Sequence, residues 1–291
     1  MSFNPENILN RKFADVEQSY TERDSIIYAL GVGLGYDPLD ARQLPFVFEQ
    51  PSLRAVPSMA MVLGSPGFWA REPDTGIIWQ KVLHGEQGMV LHQPLPPAAT
   101  IIGKTRVIRI LDKGEGRGAL IFTERTLFDK SSDILLATLT STTFARGNGG
   151  CGGDQGPQAV PHALPDRAPD QICDLPTQKS AALLYRLSGD SNPLHADPEI
   201  AKAAGFPAPI LHGLCTVGVV CHALLRSYCN YDEARLKSLD LRFSSPVFPG
   251  ETIRTEMWQD GEVISFRARV LERDIVVLNN GRAVISDEVK L

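Results

Sequence analysis

From Ser265 to Val270 the side chains alternate, with Phe266, Ala268 and Val270 set against Ser265, Arg267 and Arg269. A period of two predicts a strand with one covered face. Asn280-Gly281, between Ile275-Val276-Val277-Leu278 and Ala283-Val284-Ile285, predicts a hairpin turn. Upstream, His212–Tyr228 is apolar on nearly every side, the pattern of a buried helix. Asp197-Pro198 followed by Gly205 predicts a short helix, capped by Asp, primed by Pro and closed by Gly. The first half repeats this order, with apolar Met59–Leu63 and then strand-like Lys104–Leu111, Gly118–Phe122 and Leu135–Phe144. The pattern permits an α+β arrangement: a long helix wrapped by an antiparallel sheet, twice over.

A composition shift separates the copies. Gly147-Asn148-Gly149-Gly150-Cys151-Gly152-Gly153 leads into a stretch holding Pro157, Pro161, Pro165 and Pro169, which can bury little. The expected organisation is an N-terminal domain over 1–150, a Gly/Pro-rich linker over 151–170 that orders poorly, and a C-terminal domain over 171–291. Thr21-Glu22-Arg23-Asp24 and Thr177 each open an apolar helical segment. Both segments carry Tyr-x-Leu, at Tyr28 and Tyr185. Aligning the tyrosines sets Gly33 opposite Asp190 and Pro38 opposite His195, so only the second copy keeps ionisable groups there.

The chain has 291 residues, 43% of them apolar, and a net charge of −5 spread without runs. No basic stripe suits a nucleic acid. The N-terminus lacks a basic start with an apolar run, and no stretch approaches eighteen apolar residues, so a soluble, non-exported, membrane-free protein is expected. Five cysteines, three of them in one apolar segment, read as reduced thiols. No paired CxxC accompanies His212, Cys215, Cys221 and His222, and no metal is expected. Val289-Lys290-Leu291 only loosely resembles a peroxisomal Ser-Lys-Leu address. A cytoplasmic location is expected, with the peroxisome relevant only in a eukaryote.

Residues 185–195 read Tyr-Arg-Leu-Ser-Gly-Asp-Ser-Asn-Pro-Leu-His. Gly189, Asn192 and Pro193 impose a tight bend that turns Asp190 and His195 toward one point, a candidate acid/base site. Asp and Asn also serve in turns simply by bonding nearby backbone.

The run Gly189-Asp190-Ser191-Asn192-Pro193-Leu194-His195, followed by His212-Gly213, resembles the signature of the MaoC-like, or type 2, enoyl-CoA hydratases in their two-domain form. In the N-terminal half the resemblance rests on His84-Gly85-Glu86-Gln87, Asp112-Lys113-Gly114-Glu115-Gly116 and the Arg146–Gly153 glycine run. It implies a double hot-dog fold and reversible hydration of trans-2-enoyl-CoA to (3R)-3-hydroxyacyl-CoA. It also implies catalytic roles for Asp190, His195, Asn192 and Gly213, whose backbone N–H would face the thioester oxygen from the start of the long helix. Substrate contacts are implied at His84, Gly85, Lys113, Ser191, Pro193, Leu194 and Phe243, and His212 reads as a structural neighbour. Because a carboxylate favours a protonated imidazole, Asp190 as base and His195 as acid is the easier assignment, although the roles could reverse. The substrate is the coenzyme A thioester itself and no cofactor is expected. A homodimer is expected, although two fused units can already pair within one chain. Gly31, Gly33 and Gly35 would widen the first-half helix for medium, long or bulky acyl groups. The competing readings are a hot-dog acyl-CoA thioesterase and a non-catalytic acyl-CoA-binding partner subunit.

Overall fold

The alternating segments become strands of a single sheet. In the computed structural model, which describes residues 3–286, the first half supplies β1 (Val16–Tyr20), β2 (Val82–Leu91), β3 (Ala99–Asp112), β4 (Ala119–Asp129) and β5 (Leu135–Ala145). The second half supplies β6 (Gln171–Pro176), β7 (Leu236–Phe243), β8 (Thr252–Asp260), β9 (Val263–Val270) and β10 (Ile275–Ile285). Their order is β1-β3-β4-β5-β2-β7-β10-β9-β8-β6. The halves meet where β2 pairs antiparallel with β7, from Glu86 opposite Arg242 to Val90 opposite Ser238. Each half is thus a hot-dog unit, and the two expected sheets are continuous across this seam.

The helices are α1 (Pro5–Leu9), α2 (Glu22–Gly31), α3 (Leu44–Val47), α4 (Ala181–Tyr185), α5 (Pro198–Ala203) and α6 (Gly213–Tyr228). Helix α6 is the predicted buried one. Its Cys215, Val217, Val220 and Leu224 lie in the main core together with Ile253, Phe266 and Val277 from the strands around it. Among the described residues the first half has no equivalent long helix, because Met59 to Val62 fall in a short 3₁₀ segment (Pro57–Val62) that ends at Leu63. Instead α2 packs against α6 and α4. A Cβ on Gly218 would stand 2.3 Å from Val32 Cγ1, so this approach requires glycine. Tyr28 and Tyr185 meet with ring centroids 5.6 Å apart, which makes the aligned tyrosines neighbours across the repeat.

Thr21 starts α2 as expected, its backbone N–H donating to Asp24 Oδ2 at 2.8 Å. Asp197 caps α5 by accepting from Glu199 and Ile200. Thr177 does not open α4; its hydroxyl donates to the Glu251 carbonyl at 2.8 Å, and the helix begins at Ala181. The Asn280-Gly281 hairpin is also corrected, since β10 runs through it with a register shift between Asn279 and Arg282. Asn280 takes φ 54°, and a Cβ on Gly281 would stand 2.3 Å from the Phe266 ring, so the pair makes a bulge over that ring.

The segment over 151–170 runs from β3 to the second half. Asp154 exchanges backbone bonds with β3 at Ile110 and Asp112, His162 Nε2 lies 2.8 Å from Ser265 Oγ, and Trp258 donates to the Arg167 carbonyl. All five cysteines are unpaired thiols. No described helix is long and apolar enough to cross a membrane. Val289-Lys290-Leu291 lies outside the described residues.

Candidate active site

The bend after α4 is built from its own side chains. Gly189 takes φ 119°, Asp190 Oδ1 accepts the Asn192 N–H at 3.1 Å, and Asn192 Oδ1 accepts the Leu194 N–H at 3.1 Å. Pro193 then starts a single 3₁₀ turn, Pro193–His195, that carries His195 inward. The turn reading of Asp190 and Asn192 is therefore true of both side chains, and it is what aims the loop. Ser191 and Leu194 lie on the same bend.

His195 is buried, and its Nδ1 lies 2.8 Å from the Ile210 carbonyl. A carbonyl can only accept, so Nδ1 carries the proton and Nε2 presents a lone pair. The ring stacks on His212 with centroids 3.8 Å apart, and His212 Nε2 donates to the Asp190 carbonyl at 3.2 Å. Donor atoms of Asp190, His195 and His212 all lie within 4.8 Å of one another, with the Asp190 side chain exposed.

The remaining walls come from elsewhere in the chain. Gly213 is the first residue of α6, and its N–H has no partner among the described residues. A Cβ there would stand 3.0 Å from Phe243 Cε1, so the glycine keeps Phe243 close as well as exposing the donor. Phe243 in turn lies 4.5 Å from His84, ring to ring. His84 thus crosses from the first half into the second-half site. Gly85 sits at the register shift between His84 and Glu86, with Thr142 O 3.2 Å from where its Cβ would be. Lys113 is farther out, on the β3–β4 turn, with Nζ 5.4 Å from the ring of Phe144, whose strand partner is Leu83.

Burial sets the protonation of the histidines. It lowers His195 below its ordinary 6.5, outweighing the Ile210 hydrogen bond and the Asp190 charge that pull upward. His212 is lowered to about 4 by burial and by its neighbour His195. His84 opens onto the cleft, and the protein packed around its ring also lowers it, against the opposing pull of Glu86, Gln87 and Asp190. The expectation that Asp190 holds His195 protonated is therefore corrected: desolvation wins, and at neutral pH the free nitrogen of His195 is a base.

A cation at this cluster would draw on His195 Nε2 and His212 Nδ1, the ring nitrogens not already bonded. The ring centroids are 3.8 Å apart and the planes inclined by only 26°, so the in-plane lone pairs of the two rings run side by side instead of converging on one ion. The stack suits proton transfer better than coordination.

The structure brings Asp190 and His195 together, with Asn192 on the same bend and Gly213 at the start of α6, and it adds His212, read from the sequence as a structural neighbour, to the pair. The only sign of its place was its position directly before Gly213. The widening glycines are placed differently from expectation. Gly31 ends α2, while Gly33 and Gly35 lie beyond it at φ 88° and 78°. Gly33 and Pro38 line a separate cavity of about 360 Å³ with His222 and Arg226, at the first-half counterpart of the loop that carries Asp190 and His195.

Residues 161–280 match the MaoC-like domain, and residues 18–147 match the MFE-2 hydratase 2 N-terminal domain. The peroxisomal enoyl-CoA hydratase 2 of Arabidopsis thaliana is 39% identical over 95% of this chain and 94% of its own. The chain belongs to the MaoC-like, hydratase 2 family. A Mycobacterium tuberculosis relative in this family, 3-hydroxyacyl-thioester dehydratase Y, is 40% identical over 90% of this chain and 91% of its own. Among solved structures, a MaoC-like dehydratase from Phytophthora capsici superposes with a TM-score of 0.87 at 38% identity, covering 98% of both chains. A Mycobacterium tuberculosis protein described as a double hotdog fold superposes at 0.57 with 16% identity, covering 94% of this chain and 96% of its own, a likeness of fold alone.

Proposed function

We propose that this hydratase 2 family member is an (R)-specific 2-enoyl-CoA hydratase. It adds water reversibly to trans-2-enoyl-CoA, gives (3R)-3-hydroxyacyl-CoA, and takes medium to long or bulky acyl groups. The observation that carries the reading is the convergence of Asp190 and His195 beside the free N–H of Gly213 at the start of α6.

The chemistry follows from those groups. His195 Nε2 takes a proton from water as its oxygen bonds to C3, and the imidazolium is stabilised by the Asp190 carboxylate. Electrons move from the double bond toward the thioester oxygen, where the Gly213 N–H and the dipole of α6 oppose the developing negative charge. The proton returns from His195 to C2, leaving hydroxyl on C3 and neutral enzyme. Asn192, its carbonyl oxygen spent on Leu194, offers its amide nitrogen to the substrate. His84, Gly85 and Phe243 wall the thioester, and Lys113 supplies a cation for the coenzyme.

The test is a panel of trans-2-enoyl-CoA thioesters of increasing length and branching, followed by enoyl absorbance and by free thiol together. Loss of absorbance without thiol, reaching the longer members, supports the reading. Thiol release points to a thioesterase, no reaction points to a binding subunit, and activity confined to crotonyl-CoA removes the long-chain part.

A further inference from the structure

The first-half sheet carries polar residues on the face that should be its core. At one end of that face Ile101, Leu127 and Met89 join the main core, and at the other Val107, Ile121 and Ala145 form a second cluster. Between them lies a polar band. Thr105 on β3 is opposite Arg125 on β4, Thr123 on β4 is opposite Ser141 on β5, and Ser141 is opposite Gln87 on β2. These residues line a cavity of about 180 Å³, and His84 and Leu214 line it too. Both belong to the reaction centre, His84 through Phe243 and Leu214 as the residue after Gly213.

Arg125 is out of place in this setting. One guanidinium nitrogen donates to the Met61 carbonyl at 2.7 Å, while its Nε and the hydroxyl of Thr105 are sealed from solvent without any hydrogen-bond partner among the described residues. No described carboxylate pairs with it. Glu124, the next residue, faces the other way and binds Arg106, and Glu86 is taken by Arg242 and Thr142. Burial alone pulls the guanidinium down to about 10. An uncompensated cation in a cavity is costly unless an anion enters it, and a carboxylate matches the guanidinium fork.

Resting on the hydratase reading, we infer that the acyl group of the preferred substrate ends in a carboxylate, held by the guanidinium of Arg125 at the far end of the first-half cavity. The register gives the reach. From His84, opposite Thr143, to Arg125, opposite Leu139, is two strand spacings across and four residues along, about 10 Å by about 13 Å. Only a chain well beyond crotonyl can span it.

The experiment compares a length series of trans-2-enedioyl-CoA thioesters with methyl-ended trans-2-enoyl-CoA thioesters of matched length, with crotonyl-CoA alongside. For the wild-type protein, kcat/KM of the best-fitting enedioyl thioester should exceed that of its methyl-ended partner by about tenfold or more, the value of a charged hydrogen bond. In Arg125→Met that ratio should fall below one, and Arg125→Lys should restore part of it. Hydration of crotonyl-CoA with a wild-type preference for methyl-ended chains overturns this inference and leaves the hydratase reading standing. Failure to hydrate any thioester overturns both. The wild-type ratio needs no variant, so a misfolded Arg125→Met leaves the test decisive.

Discussion

The imidazole of His212 stacks on that of His195 at 3.8 Å, and its Nδ1 is buried with no hydrogen-bond partner among the described residues. Two rings so close cannot both carry charge, and burial keeps both neutral. His212 is therefore a positioning residue. It holds the Asp190 backbone through Nε2 and keeps water from one face of His195. In His212→Gln, kcat for hydration should fall by about tenfold to a hundredfold, as for other small misplacements of catalytic groups. The acid limb of the pH profile should move upward as His195 is rehydrated. An unchanged limb would reduce His212 to packing.

Acid should weaken both activity and fold. Hydration requires neutral His195, whose pKa lies below 6.5, so the rate should rise with pH along a limb centred below that value. For stability, His212 and His222 are each lowered to about 4 when folded, so the unfolded chain binds more protons between there and 6.5. Their stabilisation is present above 6.5 and is lost as pH falls toward 4, both rings acting in the same direction across that window. Thermal melts from pH 7 to pH 4 should show Tm falling steadily; a flat profile would contradict the buried neutral rings.

Gly213→Ala tests the donor at the head of α6. Its Cβ would press on Phe243 and shift either the ring or the helix. A loss in kcat/KM of about tenfold to a hundredfold is expected, with folding cost near 1 kcal/mol. Steady-state kinetics beside a denaturant titration separate the two, and full activity would show that Phe243 yields to the methyl without displacing the N–H.

Gly218→Ala tests the contact that joins the halves. A methyl 2.3 Å from Val32 Cγ1 must push α2 from α6, costing about 1–3 kcal/mol. Urea unfolding should show a lower midpoint, whereas wild-type stability would mean the helices have slack.

Local chemistry made much of this legible. The bend that carries Asp190 and His195 is encoded in Gly189, Asn192 and Pro193, and α6 in its apolar run, because each is decided by neighbours in sequence. Asn280-Gly281 misled because a hairpin and a bulge share the same backbone need; the Phe266 ring that decides between them comes from another strand. The missing first-half helix was hidden likewise, since Met59–Leu63 is apolar whether it coils as a 3₁₀ turn or a long helix. Arg125 gave no signal, because Glu124-Arg125 alternates like any exposed strand and only the register across four strands shows which of the two faces inward. The protonation of His195 was misjudged for the same reason, since burial is a property of the assembled chain.

The central claim is that His195 carries one proton of a water to C2 while the Asp190 carboxylate stabilises the imidazolium formed on the way. Turnover of trans-2-enoyl-CoA by purified Asp190→Asn and His195→Gln, each checked for native folding by its melt, tests it most directly. Each variant should lose about a hundredfold to ten-thousandfold in kcat, the worth of a positioned proton-transfer group. Near wild-type turnover in either folded variant would contradict the account.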